Sequence, residues 1–147
     1  MQKYKSVVEI AAEEAFKKEI ERILSRIIFA VHTCRTKGIL EVDNIIDYGK
    51  AASGEPLEVG LKMAVDAYCS KEIEQYFDSW IAANCSNRCE YYDMILLLAI
   101  KIGILGFQAG TNPKTIDALI RSTVPLELMP PSLEEQDELS LKKSILS

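Results

Sequence analysis

Seven apolar residues, Phe16, Ile20, Ile23, Leu24, Ile27, Ile28 and Val31, recur at steps of one, three and four. That spacing puts them on one face of a helix, whereas a strand would alternate at every second position. The stripe predicts one long helix over 7–36, with Glu13–Lys17 and Glu14–Lys18 as i,i+4 pairs on the opposite face. The helix must stop at Gly38, because glycine takes the left-handed C-terminal conformation without a steric penalty. Arg35 and Lys37 fall in the last turn, where positive charge opposes the helix dipole. A second apolar and acidic run starts at once, at Ile39, so His32 to Asp43 reads as a helix–Gly–helix corner.

The remainder of the chain repeats the helical pattern. Leu40 to Tyr48 predicts a short acidic helix, and the Gly- and Ser-containing run Tyr48 to Gly54 a loop. Pro56 suits the first turn of a third helix, with Leu57, Leu61, Ala64 and Val65 inward. Ser70 is the expected cap of a fourth, whose stripe is Ile73, Tyr76, Phe77, Trp80 and Ile81. After the polar break Asn84 to Cys89, Asn87 and Glu90 resemble a capping box for a fifth helix from Arg88 to Ala109. That helix is apolar on nearly every side and belongs at the centre of a bundle, with Gly103 and Gly106 as points of close helix approach. Asn112 caps and Pro113 opens a sixth, with Ile116, Leu119 and Ile120 inward. The expected fold is an all-α compact bundle of about five to six helices. One domain is expected over residues 1–124, followed by a Pro-containing, charged and loosely held tail over 125–147.

Composition narrows the function. A net charge of −5 over 147 residues, with no basic block, argues against nucleic acid as a partner. The most apolar stretch, Met94 to Phe107, is broken by Lys101 and falls short of the roughly 20 residues of a bilayer span. Met1 to Ile20 carries charges every few residues, unlike a signal peptide, and a soluble cytoplasmic protein is expected. Four cysteines (Cys34, Cys69, Cys85, Cys89) and the single His32 raise the question of a metal. Only Cys85 and Cys89 have a ligand-like spacing, so the cysteines read as core fillers and no metal is expected. His32 reads as a partly buried histidine beside apolar neighbours. No Ser-His-Asp set and no Gly-rich phosphate loop occurs, and the carboxylates fall at solvent positions of helices. These readings point away from an enzyme and from a cofactor, and toward recognition of a partner by charge placed at corners.

Two stretches resemble one family. Arg35-Thr36-Lys37-Gly38-Ile39-Leu40-Glu41-Val42-Asp43, followed by Leu57-Glu58-Val59-Gly60-Leu61-Lys62-Met63-Ala64-Val65-Asp66, is similar to the cytoplasmic loop of the bacterial flagellar-motor stator A subunit, the MotA family. Ile73 to Ile81 fits the acidic helix that follows in that loop. Gly103-Ile104-Leu105-Gly106-Phe107-Gln108-Ala109-Gly110-Thr111-Asn112-Pro113-Lys114-Thr115-Ile116 resembles the same subunit's C-terminal cytoplasmic tail. Together the matches span about residues 22–121, in the family's order. The membrane helices that the family places before and between these parts have no counterpart here, so the resemblance implies no ion conduction. It implies instead a cytoplasmic module, peripheral to the inner face of the membrane, that meets the rotor switch-ring protein or a stator subunit. By motif position, Arg35 and Asp43 carry that contact, with Lys37 and Glu41 beside them; the family usually has Glu where this chain has Asp43. The alternatives are a helical scaffold that has lost the motor role, or a small metal-binding protein using His32 and the cysteines. Oligomerisation is left open.

Overall fold

The first helix, α1, runs over Val7–Lys37 in the computed structural model, which describes residues 5–85 and 90–131. Ser6 caps it: its hydroxyl oxygen accepts the Glu9 N–H at 3.1 Å, satisfying one of the donors a helix start leaves unpaired. Six of the seven stripe residues are buried, and Ile28 is half-buried against the same core. The opposite face pairs differently from expectation. Lys5 reaches Glu13 at 2.7 Å, and Lys17 reaches Glu14 at 3.3 Å across i,i+3. At the far end Gly38 adopts φ +93°, and its N–H donates to the Cys34 carbonyl at 3.0 Å.

Six further α-helices follow among the described residues: α2 (Ile39–Ile45), α3 (Tyr48–Ala52), α4 (Pro56–Val65), α5 (Ser70–Cys85), α6 (Tyr91–Gln108) and α7 (Pro113–Arg121). No strand forms among the described residues, and the fold is all-α. The expected loop after Tyr48 is instead the short α3, which raises the count to seven. Asp47 explains it: its carboxylate accepts the Lys50 N–H at 3.1 Å, and the short helix then packs on α4. Correspondingly α2 ends at Ile45, because Ile46 turns to extended backbone and buries its side chain. Ser70 is the first residue of α5 and not its cap; the Cys69 N–H donates to Glu72 at 3.2 Å. The Cys69 thiol, and after it that backbone bond, hold the Glu72 carboxyl below its ordinary range. α6 begins at Tyr91, later than the start expected at Arg88, because Glu90 is extended backbone ahead of its first turn; Asn87 of the expected capping box lies outside the described residues.

α6 is the centre, packed against α1, α4, α5 and α7. Its two glycines act on different neighbours. A Cβ at Gly103 would lie 2.2 Å from Ile27 Cδ1 of α1, and one at Gly106 would lie 2.8 Å from Ile116 Cγ1 of α7. Gly60 in α4 does the same for α6, with Ile104 Cγ1 at 2.8 Å. Among the described residues α6 is also the one helix long and apolar enough to cross a membrane by length and composition, with 18 residues of mean hydropathy 1.4. In this fold Ile95, Leu97, Ile100, Ile104 and Phe107 are buried against the surrounding helices.

α7 opens as expected, with the Asn112 side chain accepting the Lys114 N–H at 2.9 Å. Ile116 and Ile120 are buried, but Leu119 is 46 % exposed and belongs to the outer face. The packed structure continues past residue 124. A 3-10 turn at Leu126–Leu128 buries Leu128, and Pro130 is buried after it. Arg121 fastens this segment, donating to the Pro130 carbonyl at 2.6 Å and the Pro131 carbonyl at 2.9 Å. Residues 125–131 are therefore part of the bundle and not of a loose tail; residues 132–147 lie outside the described residues.

Candidate functional site

The corner between α1 and α2 is held from below by one arginine. Arg26 Nε donates to Glu58 Oε1 at 2.9 Å, and the same guanidinium donates to the Ile45 carbonyl at the end of α2. Glu58 is only 3 % exposed, so this is an ion pair inside the protein, joining α1, α2 and α4. Its second oxygen, Oε2, has no hydrogen-bond partner among the described residues. Val42, completely buried, fills the space beneath α2. Helical spacing puts the carboxylates at solvent positions, and Glu58 departs from that expectation. A signal is present in the sequence, since Arg22 and Arg26 fall four apart directly beside the buried Ile23 and Ile27. Cations there extend along the edge of the core, where a carboxylate of a neighbouring helix can meet them, although the spacing does not say which one.

On this base stand the four expected contact residues. Arg35 and Lys37 are exposed in the last turn of α1 and form no ion pair among the described residues. Between them the Thr36 hydroxyl donates back to the His32 carbonyl at 2.8 Å, keeping that turn regular. Beyond Gly38, Leu40 is 81 % exposed and Ile39 is exposed beside it. Glu41 and Asp43 are half-buried and already engaged. Asn44 donates to Glu41 at 3.4 Å, and the Tyr48 hydroxyl donates to Asp43. That hydrogen bond pushes the Tyr48 phenol up to about 12. The fold thus gathers all four residues at one corner but divides them: the cations are free, and the acids are held by α2 and α3.

Tyr48 also borders an open cavity of 480 Å³, together with Val59, Met63, Tyr68 and Tyr76 and the Lys62–Asp66 ion pair at 3.2 Å. This aromatic hollow, which spacing along the chain does not reveal, depends on α3 being a helix. His32 is exposed on α1 and not partly buried. Cys34 is half-buried, Cys69 exposed and Cys85 buried, and Cys89 lies outside the described residues. No three His, Cys, Asp or Glu side chains converge among the described residues.

Comparison of the chain with protein-family models, with curated proteins and with solved structures gives no match.

Proposed function

We propose that this protein is a helical interaction module that docks a partner protein on the α1–α2 corner. The partner we infer is the rotor switch-ring protein of a flagellar motor, or a stator subunit, on the cytoplasmic side and without ion conduction. One observation carries the reading: Arg35 and Lys37 stand free beside an exposed Leu40, on a corner that the Arg26–Glu58 pair holds fixed. An exposed leucine with unpaired cations on one side of it suits an acidic helix of a partner. Apolar contact supplies affinity, and the charges steer the encounter. The resemblance to the stator loop selects the switch-ring protein among such partners.

The engagement of Asp43 by Tyr48 favours a second reading. If Asp43 stays on Tyr48, the corner offers cations alone and the protein is a general helical scaffold for acidic partners. A double-mutant cycle separates the two. Arg35→Glu should weaken binding to the switch-ring protein, and a charge reversal on that protein's facing helix should partly restore it, read by calorimetry at two salt concentrations. Absence of any binding at low salt removes the motor reading and leaves the scaffold.

A further inference from the structure

Away from this corner, the first halves of α1 and α6, with the start of α4 and Trp80 of α5 at one end, line three adjoining hollows of 300, 200 and 270 Å³ that form one groove. The first two share Ala12, Glu90 and Tyr92, and the last two share Glu19, Asp93 and Leu96. Along α1 the groove runs from Val8 to Ile23, about 22 Å at the helical rise, which matches about four turns of a second helix. Its floor is apolar, formed by Ala12, Phe16, Ile23, Trp80, Leu96 and Leu97. The small Ala12 leaves room for another backbone to approach.

The walls are acidic. Glu9, Glu13, Glu19, Glu55, Glu90 and Asp93 line the groove, and Arg22 is the one cation among the described lining residues. Arg22 serves Glu19 and Glu55, at 3.1 and 2.9 Å, and Lys5 serves Glu13 from outside. Glu9 and Glu90 have no ion-pair partner among the described residues. Anionic polymers and anionic lipid are repelled by such walls. We propose that this groove receives an amphipathic helix of a partner protein, its apolar stripe on the floor and its lysines or arginines against the carboxylates. The partner surface is therefore basic, opposite in sign to the one expected at the α1–α2 corner. The inference does not depend on the identity of the corner's partner.

Trp80 is the only tryptophan and lines this groove, so its emission reports occupancy directly. The probe is a peptide of about 16 residues with leucines at helical spacing and lysines on the flanks, titrated into the full chain. A saturable change in Trp80 emission at low salt, weakened by added salt, is expected, and a glutamate-for-lysine peptide should give none. Glu19→Lys should weaken binding at least about tenfold, whereas Glu21→Lys, an equal charge change on an exposed α1 residue outside the groove lining, should weaken it less than about threefold. Because Glu19 also bonds Arg22, Ala12→Arg serves as the second variant and should block the floor to a similar degree. Equal weakening by Glu19→Lys and Glu21→Lys, an unchanged Trp80 signal, or equal binding of the acidic peptide overturns the proposal. So does a dimer of the protein that the peptide dissociates, since the occupant would then be a second copy.

Discussion

Arg26 and Arg35 stand on the same helix and are put to opposite uses. Arg26 lies beside the apolar stripe, reaches a carboxylate that is 3 % exposed, and ties the end of α2 to α4. Arg35, in the last turn, meets solvent and no ion-pair partner among the described residues. The residue type is constant and only the position against the core differs. A guanidinium at the edge of the core orients helices, because removing it strands a buried charge. One at a helix end leaves the fold nearly indifferent and is free to meet a partner.

The strongest way to break this contrast is Arg26→Met. It leaves Glu58 buried without its cation and should cost about 3–5 kcal/mol in denaturant melts. Adding Glu58→Leu should recover much of the loss, because the stranded charge is gone. A single-mutant cost under about 1 kcal/mol would mean that the pair does not organise the corner. Next in size is Gly103→Ala, whose Cβ would meet Ile27 Cδ1, one residue along α1 from Arg26. Overpacking here should cost about 1–3 kcal/mol. Ile27→Val removes the clashing atom, so the double variant should lose less than the sum of the two singles; strict additivity would place the strain elsewhere.

Arg35→Glu should cost only about 1 kcal/mol in the same melts, from the loss of one favourable charge and the gain of one unfavourable charge at an exposed helix end. A cost as large as that of Arg26→Met would erase the distinction drawn between them. The last test is a titration. Tyr48, bonded to Asp43, should ionise near 12, against 10.0 for a free phenol. Its folded pKa is raised, so its contribution to stability is full below the unfolded value and is lost as pH rises through about 12. Ultraviolet absorbance of wild type against Tyr48→Phe reads it. A Tyr48 that ionises at the ordinary value would show Asp43 free for a partner, which strengthens the switch-ring reading over the scaffold.

Much of the corner is legible in the sequence. The stripe, Gly38 and the two terminal cations are local features, each fixed by helical spacing or by one backbone conformation. The Asn112 cap and the glycine notches of α6 belong to the same class, although only packing shows that Gly103 serves α1 and Gly106 serves α7. Pairings across long stretches of chain are not legible in this way. Arg26 and Glu58 are 32 residues apart, and no spacing rule links a cation on one helix to a carboxylate on another. Helical spacing from Ile116 points Leu119 inward, but α7 buries only a narrow stripe and turns that residue out. The loop expected at Tyr48 to Gly54 fails for a related reason: its Gly and Ser content suits a turn, yet one aspartate cap and a surface on α4 suffice for a short helix.

The sequence by itself determined that this chain is helical and where α1, α4 and α7 begin, because those choices rest on contacts within a few residues. It also placed Arg35, Lys37, Glu41 and Asp43 around a single glycine. Only the tertiary structure decided which charges remain free. It buried Glu58 against Arg26, gave Asp43 to Tyr48, and left Arg35 and Lys37 in water. It likewise assembled an acidic groove from α1, α6 and the start of α4, whose carboxylates are distant in sequence. Burial and pairing are properties of neighbours in space, and the order of residues along the chain does not specify them.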